Sequence, residues 1–546
     1  MGLLHPVPPP YKALDWVTHP LHERGRMVCE AWALQGYGTP PFVYVLYALK
    51  IGLYVGVWLA CCAMTPGLGG PTTIAAWWLE PLAFQKAIAW SMLFEGLGLG
   101  CGSGPLTGRY VPPIGGVLYF MRPGTTKLPW IRGLGTRRTW LDVVLYASII
   151  GLLGYVLVAA TPPRAAIIAI VIAVPLLALR DRTMFLAFRG EHYWTTMLCF
   201  AITADWIAGA MAVQLALWFW AGVSKLNHHF PAVVCVMASN SPFTVGWIRK
   251  RMYRHYPDDL RPSRFAIVMA HLGTSLELGV PIVLVVGASL GLGEPALMLA
   301  LGMMIVLHTF ITTSVPMGVP LEWNVMVVYG GFALFWAHPS IGLGDVGLTL
   351  APVLVGMLVI VPLLGNVFPH RLSFLLAMRY YAGNWAWSVW LFRGDSAKKL
   401  AALVTSAPWI YDQLARFYDR ETAVGLVGKV MGFRMMHLHG RALPLLLPRA
   451  LEADLAAYEY LDGELVAGLT LGWNFGDGHL HHEPLLAAVQ AQCAFEPGEL
   501  RCIFVEPQPL GQRTIAYRIV DASSGQLEAG ALEVAELRTR QPWAAS

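Results

Sequence analysis

The sequence predicts an all-α, multi-pass transmembrane helical core of about eight or nine spans, followed by a small β-rich soluble domain at the C-terminus. Three observations predict it. First, 56% of the 546 residues are hydrophobic and only 13% are charged, where ordinary globular chains carry about 25% charged residues. The mean hydropathy is +0.54. Lipid tails solvate apolar side chains directly, so a bilayer accommodates a composition that a soluble chain of this size could not cover. Second, apolar runs near the length of a membrane crossing recur through the first two thirds of the chain. Third, this pattern gives way to short alternating stretches after about residue 450.

A crossing takes about 20 mostly apolar residues. The runs at 42–63, 82–99, 143–160, 165–179, 193–223, 265–290, 295–311, 323–336 and 348–364 meet or approach that length. Residues 1–41 precede the first run and read as a Pro-rich cytoplasmic or interfacial segment, with no cleaved leader. Residues 42–369 form the transmembrane domain. Charged residues become frequent from about 370, and Trp385, Trp387 and Trp390 point to an interfacial segment over 370–449, with an amphipathic helix at 396–420. Residues 450–546 form the β-rich domain. In RTIAYRIV (513–520), Ile515, Tyr517 and Ile519 share one strand face, RCIFVEP (501–507) behaves similarly, and DASSGQ (521–526) marks the turn after the first of these.

The net charge of +5 is modest. It is spread over loops between apolar runs, which fits a membrane protein's basic loops and not a nucleic-acid surface. Basic residues at 109–138, 180–189 and 249–264 place those loops, and the N-terminus, on the cytoplasmic side of a plasma (inner) membrane. A return segment at 230–247 is needed to keep both of the last two loops on one side. The eight cysteines are scattered without CxxC pairs and read as buried small hydrophobes.

Ionisable residues inside apolar runs are costly and therefore mark function. They are Lys86, Glu95, Asp205, His271, Glu277 and His308, with His192 and Lys225 at span ends. Lys86 and Glu95 are nine residues apart, on opposite helix faces, so they do not pair with one another. Gln214 and Lys225 are eleven residues apart, about three turns, and share a face if the helix is continuous. Taken alone, Lys225 reads as an interfacial anchor; desolvated, an amine is more easily held neutral and can serve as a base. The histidines of HLH (437–439) and DGHLHHEP (477–484) read as a polar turn beside a strand, and no metal is expected there. The glycines of GLGLGCGSG (96–104) read as close helix packing, since neither a preceding strand nor a P-loop lysine accompanies them.

WFWAGVSKLNHHF (218–230) resembles the signature of vitamin K-dependent γ-glutamyl carboxylases and of their bacterial relatives, the horizontally transferred transmembrane (HTTM) proteins. The likeness extends over about 140–340. It includes EHYW (191–194), AHLGTSLELGVPIVL (270–284) and LHTFITTSVPMGVPLEWNV (307–325) in the family's order. The resemblance implies a catalytic group of Lys225, His192 and His308, with His271, Glu277, Gln214 and Trp218 around the cofactor. It implies a reduced, menaquinone-like quinone as that cofactor, with dioxygen and carbon dioxide as reactants: Lys225 acts as base, His192 binds reacting oxygens, and His308 positions the quinone. Ser224 stands where the carboxylases carry a second lysine-like position, and no counterpart of their propeptide-binding site is recognisable, so glutamate is not implied as substrate. The resemblance would also put the soluble domain on the face opposite to the one the loop charges favour. Two other classes fit the same polar residues. A transporter or a lipid- or quinone-binding protein would use them to line a cavity, and a membrane scaffold would leave them dispersed. Membrane lipid, a quinone and an unidentified protein or small-molecule substrate are the expected partners.

Overall fold

A computed structural model describes residues 2–545 apart from 101–114, 132, 315–320, 381, 474–479 and 481. Five helices among the described residues are long and apolar enough to cross a membrane: Pro41–Ala63, Trp140–Val158, Ile207–Ser224, Arg264–Ser289 and Gly293–Ser314. This is fewer than the eight or nine expected. The runs at 82–99, 165–179 and 348–364 fold as the helices Pro81–Gly96, Arg164–Arg180 and Ala351–Val367. At 1.5 Å per residue these are about 24–26 Å long, against roughly 30 Å of hydrocarbon. The run at 323–336 is the helix Leu321–Gly330 continued by a wide turn at Gly331–Trp336. The expected 193–223 run breaks at Thr203, where the backbone becomes extended, into Thr195–Ile202 and Ile207–Ser224.

Burial separates the five long helices. In four of them only 22–39% of the apolar window is covered by protein, whereas 72% of Ile207–Ser224 is covered. The outer helices turn large apolar side chains outwards, among them Leu49, Leu53, Val144, Leu272, Ile282, Leu299 and Val306, as lipid contact requires. The helix bearing Gln214 and Trp218 is therefore the central one. Three of the basic residues in the 109–138 and 180–189 loops are paired: Lys127 and Arg180 both reach Asp142, at 2.8 and 2.5 Å, and Arg138 pairs with Asp181. Asp142 also closes a capping box with Thr139 at the start of Trp140–Val158.

Beyond the membrane helices lies a five-stranded antiparallel sheet, in the order β4-β3-β5-β6-β7, after a short ribbon formed by β1 (Tyr253–His255) and β2 (Asp259–Pro262). Its strands are β3 (Trp387–Arg393), β4 (Tyr458–Asp462), β5 (Leu500–Val505), β6 (Thr514–Asp521) and β7 (Gly525–Glu533). The expected strands at 501–507 and 513–520 are β5 and β6, paired Ile503 to Ile519. The 521–526 turn follows, with Asp521 Oδ1 accepting from the backbone N–H groups of Ser523 and Ser524, both at 3.0 Å. The boundary expected at 450 cuts across this sheet, because β3 comes from the segment read as interfacial. Nor does 396–420 form one amphipathic helix. It holds a turn of 3-10 helix at Ser396–Ala402 and a short helix at Ile410–Leu414. A long helix begins only at Arg420–Met436, where Asp419 caps the N–H of Thr422 at 2.8 Å.

The N-terminal segment is built into the same body. Helix Leu21–Gln35 packs against Arg420–Met436, close enough that a Cβ on Gly432 would lie 2.8 Å from the carbonyl oxygen of Val28. Glu421 accepts from the N–H of Ala13, and Tyr418 donates to the Leu4 carbonyl at 2.8 Å. Lys429 donates to the carbonyls of Val7 and Tyr37 at 2.8 and 3.0 Å.

Candidate functional site

The site starts from an irregular stretch of backbone. Arg189 lies in the left-handed region at φ 53°, and Gly190–Trp194 follows as a wide turn before the helix resumes at Thr195. Such conformations are costly for a non-glycine residue and concentrate at functional sites. The carbonyls the wide turn exposes are satisfied by neighbouring hydroxyls: Thr195 donates to Gly190 and Thr196 to His192, both at 2.8 Å. This arrangement holds Arg189, Glu191 and His192 together in the interior, each almost entirely buried.

Trp323 is the hub. Its indole N–H donates to His192 Nδ1 at 3.0 Å. Its ring lies 6.1 Å from His192, 6.2 Å from His308 and 4.9 Å from Tyr380, with the Arg189 guanidinium 5.3 Å over its face. Tyr380 in turn donates to Glu191 at 3.1 Å, and Arg189 reaches Glu191 at 3.4 Å and Glu95 at 3.8 Å. His308 receives the indole N–H of Trp218 on Nε2 at 3.1 Å and faces Asn324 Oδ1 from Nδ1 at 2.8 Å. A ring nitrogen can accept only with a free lone pair, so each indole fixes its histidine as a neutral tautomer. His192 carries its hydrogen on Nε2, and His308 carries its own on Nδ1, donating it to Asn324.

The central helix supplies the third predicted residue. Ile207–Ser224 is continuous, with Lys225 as its C-cap. At 100° per residue, Gln214, Trp218 and Lys225 fall within about 40° of one another. Lys225 is buried, not lipid-facing, and pairs with Glu277 on helix Arg264–Ser289. Its Nζ lies 5.6 Å from the Phe230 ring centroid. Gln214 is buried, and its Nε2 has no acceptor among the described residues.

His192, His308 and Trp218 are joined around Trp323, Lys225 pairs with Glu277, and Gln214 is buried on the helix face that carries Trp218 and Lys225. His271 is not among them. It is exposed, because six residues separate it from Glu277 and turn the two about 120° apart on their helix. Asp205 is also exposed, in the connection between two helices. Lys86 is structural: it donates to the carbonyls of Leu157 and Ala159 at 2.6 and 2.7 Å, at the C-terminal end of Trp140–Val158. Sequence reasoning missed Arg189, Glu191, Trp323, Asn324 and Tyr380. It also missed the ion pair of Lys50 with Glu322 at 2.9 Å, although a lysine in the middle of an apolar run is a signal in its own right.

A family profile matches the whole chain, residues 1–546, and describes transmembrane proteins of unknown function (DUF3556). The chain belongs to this family. Its transmembrane character agrees with the five apolar helices and their outward-facing side chains. No curated protein and no solved structure matches it.

In this family member the clustered histidines, at 437–439 and 479–482, lie in the C-terminal part of the chain. His437 Nδ1 faces the Phe433 carbonyl at 2.8 Å, and His482 lies 3.2 Å from the Trp387 carbonyl and 3.4 Å from Glu506. His479 and His481 lie outside the described residues, as does part of the glycine run at 96–104. In its described part, a Cβ on Gly116 would come within 2.9 Å of Gly98 Cα, a close backbone approach. Among the described residues no group of three or more His, Cys, Asp or Glu side chains is arranged to hold a metal.

Proposed function

We propose that the protein is a plasma-membrane enzyme with a carboxylase-like core. In this reading it uses a reduced quinone, with dioxygen and carbon dioxide as co-reactants, to carboxylate a carbon acid. The observation that carries the reading is the convergence of His192 and His308 on one indole, Trp323, beside the helix face that bears Lys225. The surroundings fit a quinone: the buried Gln214 amide is a donor without an acceptor among the described residues, and Trp218 and Phe335, 6.2 Å apart, supply flat apolar surface. A reduced quinone, when bound, supplies an acidic hydroxyl and two reducing equivalents.

The residues divide the work. His308 has both nitrogens engaged, so it orients the wall of the site and does not transfer protons. His192 keeps its Nε2–H for a reacting oxygen. Lys225 and Glu277 form a pair in which a proton can move from Nζ to the carboxylate, and in a low-dielectric interior the neutral pair competes with the ionic one. The expected lone neutral amine is thus replaced by an amine whose base form is produced by its partner. The neutral Nζ then accepts a proton, and the apolar enclosure keeps water away from the reacting carbon.

The test is purification in detergent, solvent extraction of bound quinone, and carbon dioxide fixation with added menaquinol, for wild type and for the variants Lys225→Ala, Glu277→Gln and His308→Ala. Wild type should retain quinone, and Lys225→Ala should retain it without turnover. Absence of bound or bindable quinone in wild type would overturn the proposal. A second reading, quinone or lipid binding or transport without chemistry, draws on the break between Thr195–Ile202 and Ile207–Ser224, since interrupted helices line many transport sites. It predicts that wild type binds quinone and consumes none.

A further inference from the structure

The stretch 241–264 joins the almost entirely enclosed helix Phe230–Asn240 to the membrane helix Arg264–Ser289. Both of its ends are tied to the start of a membrane helix. At one end, Asn240 Oδ1 accepts from the Tyr37 N–H at 3.0 Å, and Arg249 donates to the carbonyls of Leu34 and Ser241 at 2.9 and 2.6 Å, just before Pro41–Ala63 begins. At the other, Arg251 lies 5.5 Å over the Phe265 ring, and Ser263 caps Arg264–Ser289 through the N–H of Ala266 at 3.2 Å. Outward-facing apolar side chains begin within the first turns of both helices, at Phe42 and Val45 and at Ile267 and Val268. The stretch therefore sits at the edge of the hydrocarbon layer.

Two kinds of side chain meet there. Phe243, Val245 and Trp247, at the entry to the short helix Gly246–Arg251, are 76%, 50% and 65% exposed. A cluster of large apolar groups facing water marks an interaction surface, and aromatic rings are favoured at the headgroup boundary. Leu3, whose carbonyl accepts from the Phe42 N–H at 3.0 Å, is exposed at the same level. The second kind is basic. Lys250, Arg251, Arg254 and Arg264 are exposed and have no carboxylate partner among the described residues. The neighbouring acids are already engaged, Asp258 with Arg26 at 3.3 Å and Asp259 with Arg261 at 2.5 Å. Lys250 lies 5.5 Å over Tyr256, which orients it without neutralising it.

We propose that this surface binds acidic phospholipids of the leaflet in which it lies. Phe243, Val245 and Trp247 enter the boundary between headgroups and acyl chains, and Lys250, Arg251, Arg254 and Arg264 pair with the phosphates above them. The apolar tip selects a lipid over a free anion. The unneutralised cations select a headgroup of net negative charge over a zwitterionic one, whose own ammonium would add a further positive charge to the cluster. Each cation near an acidic membrane surface contributes roughly fivefold in affinity.

The test is affinity capture of the full chain in mild detergent, after incubation with equimolar dioleoylphosphatidylglycerol and dioleoylphosphatidylcholine, with the retained lipids quantified by mass spectrometry. Wild type should retain phosphatidylglycerol roughly tenfold or more over phosphatidylcholine, and washing in about 1 M NaCl should erase the preference. Lys250→Gln/Arg251→Gln/Arg254→Gln should lose it. Lys12→Gln/Lys398→Gln/Arg416→Gln, which removes the same charge from exposed positions of the soluble part, should keep it. Phe243→Ser/Trp247→Ser should lower the retained phosphatidylglycerol several-fold, and inorganic phosphate should not displace the lipid. The salt wash uses unaltered protein, so it decides the matter should a variant fail to fold. Equal retention of the two lipids by wild type, a preference that survives the salt or the basic triple substitution, its equal loss in the control variant, or displacement by phosphate would each overturn the proposal. So would a dimer that dissociates in Phe243→Ser/Trp247→Ser while lipid retention stays the same, which would assign the surface to a second copy of the chain.

Discussion

Removing Glu277 alone should cost far more than removing Glu277 and Lys225 together. The two side chains join the central helix to Arg264–Ser289, and each is less than a tenth exposed. In Glu277→Leu the ammonium is left buried beside Phe230 with its counter-charge gone, a change that costs about 3–5 kcal/mol. In Lys225→Met/Glu277→Leu the charges leave together, and the gap is filled by apolar groups of similar volume. Such a replacement is typically neutral or stabilising by up to about 4 kcal/mol. Fluorescence-detected size exclusion after graded heating, applied to wild type, both single variants and the double variant, closes the cycle. The expected signature is a coupling of several kcal/mol, with the double variant as heat-resistant as wild type and devoid of quinone-dependent turnover. That outcome separates the chemistry of the pair from its contribution to the fold. If both single variants melt with wild type, the pair is not formed in the membrane, and the account of how Lys225 becomes a base fails with it.

Three further outcomes follow from the geometry. Trp323→Phe keeps the ring but removes the N–H from His192 Nδ1; it should cost about 1–3 kcal/mol of stability for the unsatisfied acceptor and abolish turnover, read by melting and by carbon dioxide fixation in parallel. Asp142→Ala should destabilise the protein by about 3 kcal/mol or more, because it strips a helix cap and leaves the buried Lys127 without its carboxylate; Asp142→Asn, which keeps the cap, should fall between it and wild type. Burial without a carboxylate partner pushes the Lys429 amine down to about 7 from an ordinary value of 10.5. Between those values the unfolded chain binds more protons than the folded one, so stability should climb as pH rises from about 7 towards 10 and be weakest below 7. Lys429→Met should remove that slope, as melting at pH 6.5 and pH 9 would show.

How much of this was legible in the sequence depended on whether one residue or a combination carried the signal. A run of apolar residues announces a long helix by itself, and alternation announced β6 because Thr514, Ala516 and Arg518 on one face stay more open; β5, buried at five of its six residues, was legible only beside it. β3 was missed for the converse reason: six of its seven residues are buried, so WSVWLFR shows no alternation and its tryptophans imitate an interfacial cluster. The histidines at 192 and 308 and the lysine at 225 stood out as polar groups in apolar company. Trp323 did not, since one tryptophan among 21 carries no mark of its position. Arg189 needed a backbone angle that no residue pattern encodes. His271 was misplaced because a motif match does not say which way a helix faces.

The clasp between Lys429 and the carbonyls of Val7 and Tyr37 sets an order of events during synthesis. The first forty residues emerge from the ribosome long before their partners do, and the membrane helices are inserted in between. Helix Leu21–Gln35 can dock earlier, on Phe230–Asn240, where Ser239 donates to the Ala33 carbonyl and Arg249 to that of Leu34, but the stretch around Val7 is clasped only when helix Arg420–Met436 is made. A chain halted before that helix should therefore be inserted yet leave the stretch around Val7 open to protease, with resistance there appearing once Arg420–Met436 has been added.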